Sequence, residues 1–231
     1  MKDAYLNLVD FWNKSFTLTE EDKRQLQEEV GPRDYKSLAP SPKLFEALKD
    51  FEDKQNVLDY GAGSGWASII MAKCGASRVL AVDVAENSIE MINCYKQAFE
   101  VEDKIDTLFI NEKWLEKQEE KSFDGFFCSN VIDVIPLDMA KEIIKNSAKV
   151  VKDDARVVFS LNYYADPEAM KERGFEVDGA SVYIEGVLRL TSLKDEEWIS
   201  VFKKYYKEVE VSYFAWPGEE KETRRLFVLK K

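Results

Sequence analysis

The segment Asn56-Val-Leu-Asp-Tyr-Gly-Ala-Gly-Ser-Gly-Trp66 constrains this chain more than any other, because an apolar run enters three glycines within five residues. A short strand of this kind ends in a turn where Gly61, Gly63 and Gly65 permit positive φ and let the backbone approach a ligand closely. A helix that follows directly presents free N–H groups at its start. Strand, glycine turn and helix N-terminus together make a nucleotide cradle. The same order commits the chain to an α/β architecture, since it is the first half of a βαβ unit.

Downstream the pattern repeats. Apolar runs near 56–60, 78–82, 106–110, 124–129 and 155–161 alternate with helical stretches near 65–74, 86–99 and 137–150. One helix per connection is what parallel neighbours require. Segments 208–216 and 223–229 also read as strands, but about six residues separate them, too few for a parallel crossover. They form an antiparallel hairpin. The fold expected is a Rossmann-like doubly wound sheet of about seven strands, mostly parallel, with a C-terminal antiparallel hairpin. A helix carrying Trp198, Val201, Phe202 and Tyr205 on one face precedes that hairpin.

Ahead of the first strand the chain reads as helices. Tyr5, Leu8, Val9 and Trp12 fall at i, i+3, i+4 and i+7, and Thr19 with Asp22 forms a capping box. Gly31-Pro32 stops the second helix, and a third opens at Ser41-Pro42 with Leu44, Phe45 and Leu48 inward. With 231 residues, one core is expected. We divide that single domain, 1–231, into an N-terminal helical cap (1–40), a cofactor-binding core (41–160), a substrate-side insert (162–192) and a C-terminal helix and hairpin (193–231).

Charge and composition remove several functions. A formal net charge of -11 repels phosphate backbones and anionic membranes, so no nucleic-acid partner is expected. The first residues contain no continuous apolar stretch, and no run approaches the roughly 18 residues of a membrane span. A cytoplasmic, soluble protein is expected. Cys74, Cys94 and Cys128 are odd in number and widely spaced, which reads as reduced core thiols. The sequence has no histidine, which excludes His bases, His-dependent triads and most zinc sites, so no metal is expected.

Two departures from the dinucleotide fingerprint decide which nucleotide fits. Its third glycine would fall at Trp66, and Asp59 just before the turn would repel a pyrophosphate while attracting a cationic amino-acid group. The segment resembles motif I, (D/E)xGxGxG, of the class I (Rossmann-like) S-adenosylmethionine-dependent methyltransferases, with Asp59, Gly61, Gly63 and Gly65 in place. Asp83 ends the second strand about 20 residues past the glycines, where a carboxylate accepts both ribose hydroxyls.

That resemblance implies S-adenosyl-L-methionine as cofactor and Val84 against its adenine. It also implies an adenine-edge contact at Asn111-Glu112-Lys113, where the family often has Gly-Asp-Ala. There Glu112 either accepts from the adenine amino group or is a surface acid, and backbone groups of Lys113 and Trp114 are equal candidates. Ser129, Asn130 and Asp133 follow the fourth strand, placed near the transferred methyl. Many relatives carry an acidic residue and then His there, whereas Asp133 is followed by Val134, so a His-dependent step is absent.

On the acceptor side, Ser181 to Leu190 alternates almost strictly and reads as one half-buried strand covering the site. Its polar face of Tyr183, Glu185 and Arg189 meets either the pocket or solvent. Asp133, Glu185 and Tyr183 are the candidate catalytic groups, although a base is optional because a sulfonium already makes its methyl electrophilic. Amine or thiol nucleophiles, which lose a proton readily, are favoured. The expectation is methyl transfer to a small-molecule acceptor at N, O or S; nothing in the sequence sets the oligomeric state. A non-catalytic S-adenosylmethionine-binding sensor or scaffold is the alternative, with a nicotinamide-dependent oxidoreductase behind it, weakened by Trp66 and the hairpin.

Overall fold

The computed structural model describes residues 2–28 and 34–231, so the expected stop at Gly31-Pro32 lies outside the described residues. Helix α1 spans Lys2–Ser15 and α2 spans Glu20–Glu28. The capping box at the start of α2 is reciprocal: the Thr19 N–H donates to Asp22 Oδ2 at 2.8 Å and the Asp22 N–H to Thr19 Oγ1 at 3.1 Å. After a 3₁₀ turn at Tyr35–Leu38 comes α3, Pro42–Lys49. Ser41 caps it, accepting from the Leu44 N–H at 3.1 Å, with proline in the first turn and Leu44, Ala47 and Leu48 buried.

The alternating core follows as β1 (Val57–Tyr60), α4 (Trp66–Cys74), β2 (Val79–Asp83), α5 (Glu86–Ala98), β3 (Ile105–Phe109), β4 (Phe123–Ser129), α6 (Leu137–Val150) and β5 (Val151–Leu161). The insert holds α7 (Pro167–Glu172), β6 (Glu176–Asp178), β7 (Ser181–Ile184) and β8 (Val187–Thr191). The chain closes with α8 (Asp195–Phe202), β9 (Glu208–Phe214) and β10 (Arg224–Lys230).

Seven strands make one sheet in the order β3-β2-β1-β4-β5-β10-β9, and β6-β7-β8 make a separate antiparallel sheet. Strand β10 runs antiparallel to both β5 and β9, as the short connection demanded. Adjacent residues on the central strands feed two cores. Leu58, Phe126, Val157 and Phe227 face one layer with α6 and α8, while Val57, Phe127, Val158 and Leu226 face the layer of α3, α4 and α5. Burial on both faces is why these strands read as continuous apolar runs. Each such side chain stabilises the fold by roughly 1.5–3 kcal/mol relative to exposure. The order of strands reverses between β1 and β4, which opens a crevice at their carboxyl ends.

Three local readings are corrected. Helix α8 stops at Phe202, so Tyr205 is 37% exposed and Tyr206 takes the inward place, sharing a 2.7 Å hydrogen bond between its Oη and Ser147 Oγ. Strand β5 begins at Val151, four residues before the expected start at 155, because Val151 pairs with Phe123 across an irregularity in the ladder. The insert's single expected strand is a hairpin. Glu185 and Gly186 adopt φ of 53° and 74°, the left-handed pair of a two-residue turn, and Ile184 faces Val187. Side-chain alternation carries no sign of chain direction, so a reversal inside it went unread.

Candidate active site

A cavity of about 630 Å³ lies at the carboxyl ends of β1, β2 and β4, within the usual range for small-molecule sites. Its floor is the glycine turn. The N–H groups of Gly61 and Ala62 both donate to the Val82 carbonyl, at 2.9 and 3.0 Å, which pins the turn to the neighbouring strand. Gly61 and Gly63 line the cavity with φ of 71° and 56°. A Cβ on Gly61 would collide with the Val131 side chain, and one on Gly63 would sit 3.1 Å from the Phe16 ring. Gly65 is the left-handed N-cap of α4, off the cavity wall.

Two buried carboxylates face this floor. Asp83 is 6% exposed; its Oδ2 accepts from the Gly63 N–H at 2.9 Å and its Oδ1 from the Ala85 N–H at 2.8 Å. Burial raises its pKa, with the Gly63 and Ala85 hydrogen bonds opposing that rise. Asp59 is 2% exposed and accepts from Ser68 Oγ at 2.5 Å. Burial pushes its carboxyl up to about 7, the nearby Asp83 charge adding to the effect. At the end of β4, Asn130 holds φ of 53°, unusual for a residue with a side chain. Its N–H donates to the Ser160 carbonyl at 2.7 Å, while its Oδ1 is buried with no hydrogen-bond partner among the described residues.

A family model described as a methyltransferase domain matches residues 33–203, well over half of the chain. The chain belongs to the class I S-adenosylmethionine-dependent methyltransferases. It is 35% identical over 106 residues to a ubiquinone biosynthesis O-methyltransferase of Neisseria meningitidis serogroup A / serotype 4A, covering 46% of this chain and 43% of that relative. A ribosomal protein L11 methyltransferase of Ruminiclostridium cellulolyticum is 29% identical over 158 residues, 67% of this chain and 45% of the relative. The matches therefore span less than half the length of these relatives. Among solved structures, 1,6-didemethyltoxoflavin-N1-methyltransferase of Burkholderia thailandensis, with bound 1,6-didemethyltoxoflavin and S-adenosylhomocysteine, superposes with a TM-score of 0.62 at 17% identity. That superposition covers 85% of this chain and 80% of the other, and shows the same fold.

The methyltransferase's cofactor fits the residues present. Buried Asp59, Asp83 and the unpartnered Asn130 Oδ1 supply acceptors for a cationic, hydroxyl-bearing ligand, and the glycine backbone forms the adjoining wall. Val84, Glu112, Lys113 and Ser129 line the same cavity. Trp114 does not, and the expected backbone donors of Lys113 and Trp114 are already spent on Asn111 Oδ1 and O, both at 3.0 Å. Among the described residues, no group of three His, Cys, Asp or Glu could hold a metal ion.

The three candidate catalytic groups lie off the wall. Asp133 is fully buried; its Oδ2 accepts from the Asn162 backbone N–H at 2.6 Å and from Asn162 Nδ2 at 2.9 Å. Its neighbours Val134 and Ile135 reach the cavity instead. Glu185 is exposed at the hairpin tip, and Tyr183 faces elsewhere in the small sheet.

Other residues do line the methyltransferase's cavity. Helix α1 walls it with Tyr5, Leu8, Val9 and Trp12, and the Phe16 that follows adds to that wall. Burial, then the Glu112 and Asp83 charges, push the Tyr5 phenol up to about 12. Trp216, in the β9–β10 connection, lines it too, with the Arg224 guanidinium 3.5 Å over its ring. Helix α6 adds Asp138, Met139, Glu142, Ile143 and Asn146. The i, i+4, i+8 spacing of Asp138, Glu142 and Asn146 was visible in the sequence, whereas nothing local marks Trp216.

Proposed function

We propose that this methyltransferase moves the methyl group of S-adenosylmethionine to a nitrogen, oxygen or sulfur of a small-molecule acceptor. The carrying observation is the convergence of buried Asp59, buried Asp83 and the unpartnered Asn130 Oδ1 on one cavity roofed by α1. On this reading Asp83 holds the ribose hydroxyls, Val84 packs on the adenine and Glu112 takes its edge. Asp59 supplies the negative charge that attracts the amino-acid end, and Gly61 and Gly63 let the backbone close on it. The bound sulfonium supplies an electrophilic methyl. The acceptor's lone pair forms the new bond as the carbon–sulfur bond breaks, its electrons passing to sulfur; a proton then leaves the acceptor to solvent. Aligning the two reactants in a dry cavity supplies most of the rate enhancement. With no histidine in the chain, acceptors that shed a proton without a strong base suit the site.

A small acceptor is supported by the roof. Helix α1 packs across the cavity and is fastened at its C-terminal end, where the Asn87 N–H donates to Asn13 Oδ1 at 2.9 Å and Asn87 Nδ2 to the Asn13 carbonyl at 3.0 Å. The cavity it walls, about 630 Å³, is the size of a small-molecule site, and the net charge of -11 disfavours a nucleic acid. The three free thiols suit a cytoplasmic location. The test is titration with S-adenosylhomocysteine, followed by incubation with methyl-labelled S-adenosylmethionine and a metabolite mixture. Binding and label transfer to a low-mass product are expected. Absence of binding overturns the reading, and binding with no label transferred to any acceptor leaves the sensor function in its place.

A further inference from the structure

We infer that Trp216 selects the acceptor by stacking on a neutral, planar aromatic ring, with Arg224 as the residue that positions its indole; the assignment rests on the methyl-transfer reading. Trp216-Pro217-Gly218-Glu219 makes a turn in the β9–β10 connection. Proline is its second residue, Gly218 takes φ of 88° as its third, and the Glu219 N–H donates to the Trp216 carbonyl at 3.0 Å. The Glu219 side chain folds back, its Oε2 accepting from the Trp216 N–H at 2.8 Å. Arg224, 6% exposed, fastens this turn to the sheet. Its Nε donates to Glu219 Oε2 at 2.9 Å, its Nη2 to Glu219 Oε1 at 2.7 Å, and its Nη1 to Asn162 Oδ1 after β5 at 2.6 Å. A planar fork held at all three nitrogens has one orientation, and it lies 3.5 Å over the indole.

Half-buried Trp216 lines the cavity and Arg224 does not, so the indole stands between the guanidinium and the cavity. That arrangement decides what the ring can meet. An ammonium on it would be repelled by the guanidinium behind, which already takes up the cation–π attraction. A neutral planar ring gains stacking beyond its apolar burial, which a saturated body of the same size does not. The neighbouring wall is aromatic too. Trp66 and Phe127, edge to face with centroids 5.9 Å apart, line the same cavity and belong with Trp216 to the layer of α3, α4 and α5. In the sheet, β9 and β10 lie on the opposite side of the β1/β4 switch point from β2, so Trp216 and Asp83 serve different ends of the site.

The experiment uses the full chain saturated with S-adenosylhomocysteine and two probes with one carbon skeleton and one hydroxyl, the planar 2-naphthol and the saturated decahydro-2-naphthol. The planar probe should bind roughly three- to tenfold tighter. Trp216→Phe should keep most of that preference and Trp216→Leu should abolish it, both leaving S-adenosylhomocysteine affinity within about threefold. Arg224→Lys, which keeps the charge but not the planar fork, should reduce the preference to less than about twofold. Equal affinity of the two probes for the wild-type chain overturns the inference, as does no 2-naphthol binding at millimolar concentration. A preference that survives in Trp216→Leu also overturns it, and one unchanged in Arg224→Lys removes the positioning role of Arg224. Loss of S-adenosylhomocysteine affinity in Trp216→Leu overturns it as well, placing the indole against the cofactor. A wild-type chain that does not bind S-adenosylhomocysteine takes the methyl-transfer reading down with it, whereas cofactor binding without a ring preference sinks this inference alone.

Discussion

The carboxyls of Asp59 and Asp83 lie at 2% and 6% exposure, so protonation is where the site is most sensitive. The Asp59 carboxyl, raised to about 7, holds a proton in the folded state that the unfolded chain has released above about 4. Stability of the ligand-free protein from this group is therefore full near pH 4 and lost as pH rises through 7, Asp83 acting in the same direction. Ligand binding runs the opposite way, since a cationic amino-acid end needs the ionised carboxylate. Affinity for S-adenosylhomocysteine should fall up to about tenfold per pH unit below about 7, and Asp59→Asn should flatten the profile. Calorimetry from pH 5.5 to 8 checks this; an equal slope in the variant would remove Asp59 from recognition. Asp83→Asn should weaken the same ligand by roughly 10- to 100-fold, the worth of charge-assisted hydrogen bonds of about 1.5–3 kcal/mol. An unchanged dissociation constant in a folded variant would exclude Asp83 from the cofactor site.

At the scale of elements, α1 is the wall of the cavity that the insert braces. The insert packs against it: the Arg189 guanidinium lies 3.9 Å over the Phe11 ring and 5.9 Å from that of Trp12. A cation–π contact of about 0.5–1 kcal/mol corresponds to roughly a two- to fivefold change in rate. Arg189→Gln should accelerate S-adenosylhomocysteine dissociation by that factor with little change in association, followed by stopped-flow fluorescence of the cavity tryptophans. Unaltered dissociation would show α1 to be a fixed wall. The contact also gives the β7–β8 hairpin a use that its exposed Glu185 tip does not suggest.

Across the whole molecule, a buried polar network ties four distant segments together behind the site. Asp133 after β4 holds Asn162 after β5, Arg224 Nη1 donates to Asn162 Oδ1 at 2.6 Å, and Arg225 Nε donates to the Asn162 carbonyl at 2.8 Å. Arg225, 1% exposed, also reaches the Leu193 carbonyl at 2.7 Å and Asp195 at 3.3 Å. Removing one partner of such a buried cluster costs about 3–5 kcal/mol, so Arg225→Met should lower Tm by roughly 10 °C. Asp133→Asn should likewise lower Tm yet keep turnover within about tenfold, because Asp133 is fully buried and off the cavity wall. A loss of roughly 10²–10⁴ in turnover with an unchanged Tm would instead make Asp133 the base.

Local pattern alone determined the sheet, the switch point and the cradle. Burial on both faces wrote the parallel strands as apolar runs, and a turn needing positive φ at Gly61 and Gly63 is encoded residue by residue. Asp83 was legible for the same reason, its place at the end of β2 being fixed by strand length and spacing. The helix of Tyr5 and Trp12 was open to two readings, lid or plain packing, and the full set of cavity walls was not legible, because they come from segments far apart in the chain. Trp12, Asn146 and Trp216 meet only when α1, α6 and the β9–β10 connection pack around one cavity. Asp133 was placed near the transferred methyl from its position after β4, but only tertiary packing decided that it would be fully buried off the cavity wall, with Asn162 on its Oδ2 and its Oδ1 without a partner among the described residues. Periodicity records which face of an element is apolar; which element covers that face is set by packing energies spread over the whole core.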